Sequence, residues 1–205
     1  NSFTDEVLEV MASDPRFCSY LDMPFQHISD LVLKKMNRKI TRKEIEATMS
    51  RVRSQLPDVA WRTTFIVGFP TETDQDFEEL VDFVSEGHFQ HLGIFLYSDE
   101  DNIRSSKFGD PIPLSLKEER KNRLMEIQQK ISREHHQKMV GSLQQVLVGG
   151  FSSETDLLLE GRNQYQGPEV DGVVYINEGN ATSAGFHQVE ITEAHEYDLV
   201  GKILN

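Results

Sequence analysis

Cysteine is nearly absent from this sequence: Cys18 is the only one in 205 residues. An internal disulfide is therefore excluded, as is any zinc or iron–sulfur site built within the chain from several thiolates. A lone thiol fits a reducing, cytoplasmic compartment. Apolar runs are short: none approaches the roughly 18 residues that span a bilayer, and no signal-peptide pattern opens the chain. A soluble protein with no membrane partner is expected. Basic residues are in deficit, with 21 Lys and Arg against 34 Asp and Glu and a net charge of −13. That balance disfavours phosphate-backbone binding and suits a basic partner, although such a charge also simply keeps a protein soluble. No Ser/His/Asp set, P-loop or GxGxxG fingerprint occurs, so no catalytic residue is assigned. The seven histidines give no metal pattern. His135 and His136 are adjacent and diverge by about 100° on a helix, and His88 and His91 lack a third ligand.

What is present is organised around Arg62-Thr63-Thr64-Phe65-Ile66-Val67-Gly68-Phe69-Pro70-Thr71-Glu72-Thr73. From Thr63 it reads as a strand buried on both faces, ending at Gly68 and Pro70. A helix follows, with Thr73 and Asp76 spaced as a capping box and Phe77, Leu80, Val81 and Val84 on one stripe. A strand, a Gly-containing turn and a helix N-terminus place a small-molecule site at the carboxyl end of a sheet. An ordinary βα turn, shaped by Gly and Pro alone, reads the same way.

Around this stretch the chain alternates. Residues 2–12 form a helix with Thr4 as N-cap and Val7, Leu8 and Met11 on one face. Residues 17–23 are strand-like, with Cys18 a packed core thiol, and Pro24-Phe25-Gln26-His27 follows. His27 stands where barrel sites are built, or packs under the next helix. Ser29 caps a short helix whose basic end, Lys34, Lys35 and Arg38, complements the helix dipole. Thr41 and Glu44 form another capping box before the stripe Ile45, Met49, Val52 and Leu56. A third strand spans 92–98, and residues 99–115 form an exposed loop. A long helix spans 117–139, with Leu124, Ile127 and Ile131 on one face and a basic, solvated face opposite. Three strands in βα series make half a barrel rather than a closed domain. Past Gly141, five short strands (145–148, 157–160, 173–176, 186–191 and 199–204) separated by turn signals predict a small antiparallel barrel. Its charge is lopsided: Arg162 and Lys202 face ten acids, Glu154, Asp156, Glu160, Glu169, Asp171, Glu178, Glu190, Glu193, Glu196 and Asp198.

Several of these segments, in order, resemble the radical S-adenosylmethionine methylthiotransferases. Tyr20-Leu21-Asp22-Met23-Pro24-Phe25-Gln26-His27-Ile28-Ser29-Asp30, then Leu33-Lys34-Lys35-Met36-Asn37-Arg38, is similar to that family's LDIPLQHASDxxLKxMxR segment. The organising stretch is similar to RTTxIVGFPGET. Glu118-Glu119-Arg120 in the long helix, Glu169-Val170-Asp171-Gly172 and Asp198-Leu199-Val200-Gly201 continue the likeness. It covers essentially the whole chain.

The resemblance implies an α/β plus β architecture. The C-terminal half of a partial (βα)6 TIM-like radical SAM barrel with its connecting helix would span 1–138. A small antiparallel, OB-like TRAM β-barrel would span 139–205. It implies a parent enzyme that is a methylthiotransferase using S-adenosylmethionine and two [4Fe–4S] clusters. Gln26-His27 and the acidic barrel resemble the branch that modifies an aspartate of small-subunit ribosomal protein 12. The alternatives are the sister branch, which modifies tRNA adenosine, and a non-catalytic acidic module that binds a ribosomal protein or RNA. Gln26, His27, Thr64, Ile66, Gly68 and Tyr97 would form one wall of the S-adenosylmethionine site, with no metal ligand here. A monomer is expected, with a basic ribosomal protein as partner in preference to nucleic acid.

Departures accompany the likeness. The family's CxxxCxxC motif and three further cysteines are absent, so the resemblance implies a C-terminal piece that is inactive alone and begins after the third barrel strand. The family's Gly after Pro70 is Thr71, and its EEGTxA segment is replaced by Glu100-Asp101-Asn102-Ile103-Arg104-Ser105-Ser106.

Overall fold

A computed structural model describes residues 4–100, 106–179 and 184–204. Most of the loop expected at 99–115 lies within them, but 101–105 lie outside. The chain divides into two compact units: residues up to 15 with 21–128, and 16–20 with 129 onward.

The first unit is built on a three-stranded sheet in the order β1 (Tyr20–Asp22), β2 (Ala60–Val67), β3 (His91–Leu96). Strands β2 and β3 run parallel, in register from Arg62 opposite His91 to Val67 opposite Leu96. The helix between them, α4 (Asp74–Ser85), opens with the predicted capping box: Thr73 accepts from the Asp76 amide, and Asp76 accepts from the Thr73 amide. The same device, Thr41 with Glu44, starts α3 (Arg42–Gln55), and Ser29 caps the short α2 (Asp30–Lys35). In α1 (Asp5–Ser13), Thr4 occupies the N-cap position but its side chain makes no capping hydrogen bond.

Burial along β2 alternates, which corrects the expectation of a strand covered on both faces. Trp61, Thr63, Phe65 and Val67 are buried, whereas Arg62, Thr64 and Ile66 are half-buried. The buried face packs with Ile45, Met49 and Val52 of α3, with Phe77, Leu80, Phe83 and Val84 of α4, and with Leu124. The other face carries Arg62 paired with Asp22 and ends beside Phe95, which is 60% exposed. Cys18 is also corrected. The strand is only three residues long and excludes it, so the thiol is exposed rather than packed in a core.

Helix α5 (Leu114–Gln137) contains the boundary between the units. In the second unit, β4 (Leu143–Phe151), β5 (Leu159–Arg162), β6 (Val174–Glu178), β7 (Gly185–Ala194) and β8 (Leu199–Ile203) close into a barrel in the order β4-β5-β6-β8-β7. Four pairings are antiparallel, but β6 and β8 run parallel, so the expectation of a wholly antiparallel barrel is corrected. The reason is the crossover: β7 returns to pair with β4, and the β7–β8 hairpin then lays β8 beside β6. Closure leaves no open edge. The interior is Val146, Val148, Val174, Ile176, Val189, Ile191, Leu199 and Ile203, mostly β-branched residues that suit a tightly curved sheet. Gly201 permits that tightness, because a Cβ there would lie 2.5 Å from Val189 Cγ1 and 2.7 Å from the Glu190 carbonyl oxygen. No helix among the described residues is long and apolar enough to cross a membrane.

Candidate functional site

A cavity of about 430 Å³ opens at the carboxyl ends of β2 and β3. Its floor is apolar, formed by Ile66, Phe69, Phe95 and Tyr97, and its rim carries Gln26, Lys35, Asn37, Arg38, Ser98 and Glu100. Size and lining match a small-molecule site, in which apolar walls carry a few fixed polar groups.

Local backbone rules bring the rim together. Gln26 has φ of 73°, the left-handed region that non-glycine residues rarely adopt. It holds that conformation because its amide donates to Thr64 O at 2.9 Å and its carbonyl accepts the Ile66 amide at 2.8 Å. The parallel bridge between Gln26 and Phe65 thus extends the sheet beyond β1 and turns the chain at the cavity. Asn37, with φ of 60°, closes α2: its amide donates to Lys34 O and the Arg38 amide donates to Leu33 O. This Schellman turn presents Lys35, Asn37 and Arg38 at the rim.

The floor rests on a second arrangement. Phe69 and Tyr97 follow the ends of β2 and β3, and their rings meet edge to face with centroids 5.2 Å apart. The Tyr97 hydroxyl is buried with no hydrogen-bond partner among the described residues. A buried polar atom without a partner costs stability, so it marks a place for a ligand polar atom.

Behind the floor lies a buried charged network. Glu72 accepts the Gly68 amide at 2.7 Å and the Phe69 amide at 3.3 Å through Oε2, and Arg120 Nη1 at 2.7 Å through Oε1. Arg120 also donates to Asp74 at 2.6 Å. Burial pushes the Glu72 carboxyl up, and Arg120 with the two amides pulls it back. His27 is fully buried; its Nδ1 accepts the Ser29 amide at 3.0 Å, and Nε2 lies 3.8 Å from Glu72 Oε2. Burial, aided by Arg120 and opposed by Asp76, lowers the His27 pKa to about 4, so the ring is neutral near pH 7. Burial also pushes Asp76 up, but hydrogen bonds from Ser29 and Thr73 leave its carboxyl below the usual range.

The six residues singled out from sequence therefore separate. Gln26, Ile66 and Tyr97 line the cavity. Thr64 stands two residues before Ile66 on the half-buried face of β2, outside the lining. His27 and Gly68 are buried and belong to the supporting network.

Sequence reasoning missed Phe69, Phe95, Glu72, Lys117 and Arg120. It read the basic face of α5 as solvated, whereas Lys117 and Arg120 are 2% and 3% exposed. The missed signal was phase. Lys117, Arg120, Leu124 and Gln128 fall at i, i+3, i+7 and i+11, and all four are buried.

Comparison with known proteins decides the affiliation. Residues 1–84 match the Radical SAM superfamily model and residues 140–204 match the TRAM domain model. Over 204 residues the chain is 48% identical to the ribosomal protein uS12 methylthiotransferase RimO of Bdellovibrio bacteriovorus, covering 100% of this chain and 45% of that protein. Over 201 residues it is 46% identical to RimO of Desulfotalea psychrophila, covering 98% of this chain and 45% of that protein. The chain thus joins a Radical SAM part to a TRAM part and is similar to these methylthiotransferases along its own length. It spans somewhat under half the length of the curated relatives it matches. The cavity lies within the first unit, and the TRAM match falls on the closed barrel.

The two kinds of cofactor the family implies fare differently here. S-adenosylmethionine fits: the cavity has the volume, an apolar floor for an adenine, charged and amide groups for an amino acid, and the unpartnered Tyr97 hydroxyl. An iron–sulfur cluster does not fit, since the single cysteine is exposed and the described residues hold no cluster of three potential metal ligands.

Proposed function

We propose that this chain forms part of a methylthiotransferase that adds a methylthio group to an aspartate of ribosomal protein uS12. The observation that carries this is the cavity at the ends of β2 and β3 in a chain 48% identical to a RimO across its whole length. S-adenosylmethionine would lie against Ile66, Phe69 and Phe95, with Gln26 and Tyr97 as its polar partners. His27, Thr64 and Gly68 would act from behind that surface. S-adenosylmethionine supplies the radical precursor in such chemistry. The residues here would bind and orient it, and the two [4Fe–4S] clusters of the whole enzyme would be held by cysteines this sequence does not contain.

The sheet would be the C-terminal half of a (βα)6 partial barrel, with the functional division near 138/139. The strand order β4-β5-β6-β8-β7, with β6 and β8 parallel, supports an OB-like reading of the TRAM barrel. That barrel would hold the substrate as a cytoplasmic monomer. Its acidic surface complements a basic ribosomal protein and repels a phosphate backbone.

Two measurements test the reading. Calorimetry with S-adenosylhomocysteine should detect binding to this chain, weakened by Gln26→Ala; no binding to the unsubstituted chain would sink the cofactor assignment. Pull-down with the same chain should favour uS12 over tRNA, and preference for tRNA would move the chain to the RNA-modifying branch.

A further inference from the structure

Two buried cations stand outside the cavity lining yet reach the residues that form it. Lys117 and Arg120 belong to α5, and neither lines the cavity. The stem of Lys117 packs directly on Gly68, where a Cβ would lie 2.3 Å from Lys117 Cγ. Its ammonium donates to the Tyr97 carbonyl at 2.8 Å and to Asp110 at 2.5 and 2.6 Å. Arg120 reaches the other strand through Glu72, whose second oxygen gathers the Gly68 and Phe69 amides. Two of the three rings of the cavity floor, Phe69 and Tyr97, are therefore each fixed at the backbone by one cation.

We propose that Lys117 and Arg120 are positioning residues for the cavity, holding Phe69 and Tyr97 in register so that the ligand meets a preformed floor. Stability alone does not account for them. A buried ion pair contributes little net stability compared with well-packed apolar residues, and Leu124 shows that this face of α5 accepts one. What a charge adds is direction: a guanidinium fork and an ammonium fix backbone groups at set distances, which an apolar side chain cannot do. Gly68, at φ of 76°, leaves the room that the Lys117 stem occupies.

The ligand part of this inference rests on the S-adenosylmethionine reading, whereas the backbone part does not. The test uses the whole chain with Lys117→Met, which keeps the stem, and Arg120→Lys, which keeps the charge; Glu72→Gln serves if either fails to fold. Amide exchange by NMR should accelerate about tenfold at Gly68 and Phe69 in Arg120→Lys, and at Tyr97 in Lys117→Met. Exchange at Phe65 and Ile94 should stay within about twofold of the parent. Affinity for S-adenosylhomocysteine should fall about tenfold in both variants. Unchanged exchange at the three amides, or a uniform rise along β2 and β3, overturns the proposal. So does unchanged affinity in a variant whose floor amides have loosened. If the parent chain does not bind S-adenosylhomocysteine but the local exchange changes occur, the cofactor reading fails and the backbone role stands.

Discussion

The two units of this protein solve the same packing problem in opposite ways. The barrel closes on itself, and its core is Val, Ile and Leu, with no Asp, Glu, Lys or Arg buried among its described residues. The three-stranded sheet covers one face with helices and leaves the other half-exposed. Glu72, Asp76, Lys117 and Arg120 are buried near its carboxyl end. A closed barrel satisfies its backbone by strand pairing alone, so its interior can stay apolar. An open sheet end must satisfy turn amides and carbonyls with side chains, and the charges that do so shape a cavity. Buried charge here marks the end of a sheet where a ligand fits.

The contrast predicts that the units respond to different perturbations. The largest effect is expected from Ile191→Ala in the barrel, which leaves a void and costs about 4 kcal/mol. Fluorescence of Trp61, the only tryptophan, reports the first unit and should show an unchanged urea midpoint, whereas exchange of the β7 amides should accelerate. A matching loss in the Trp61 transition would show that the two cores unfold as one.

Acid should discriminate in the other direction. The His27 pKa is depressed from 6.5 to about 4 in the folded chain, so between those values the unfolded state binds the extra proton. The stability of the first unit is therefore full above about pH 6.5 and falls as pH drops towards 4, by roughly 3 kcal/mol. Glu72, pushed up by burial, works against this slope, so the His27 contribution is the difference between the parent and His27→Gln. Equal pH slopes in the two proteins, measured by urea titration of Trp61 fluorescence, would refute it.

The smallest effect sharpens the comparison at a helix end. Thr73→Ala removes the capping box of α4 and should cost about 1 kcal/mol in the same titration. Exchange in the barrel should not change.

Much of this architecture was legible because it is local. Both capping boxes, Thr41 with Glu44 and Thr73 with Asp76, are four-residue patterns whose hydrogen bonds lie within the pattern. The barrel's turns and strands were likewise marked by Gly, Asp and β-branched runs. The site was legible only in part. The resemblance named Gln26, Ile66 and Tyr97, and these three do line the cavity at the strand ends. His27 adjoins Gln26, yet the left-handed turn at Gln26 sends one side chain to the cavity and the next into the core. Cys18 was misread for a related reason, since a strand-like composition does not say where pairing stops.

By itself, the sequence determined most of the elements, their order and the family resemblance, because periodicity, caps and spaced motifs are properties of neighbouring residues. Only the tertiary structure decided which face of β2 stays half-open, that β6 and β8 run parallel, and that Lys117 and Arg120 are buried. Those facts depend on groups far apart in the chain. Arg120 meets Glu72 across 48 residues, and the charge of each is tolerated in the interior because the other is there.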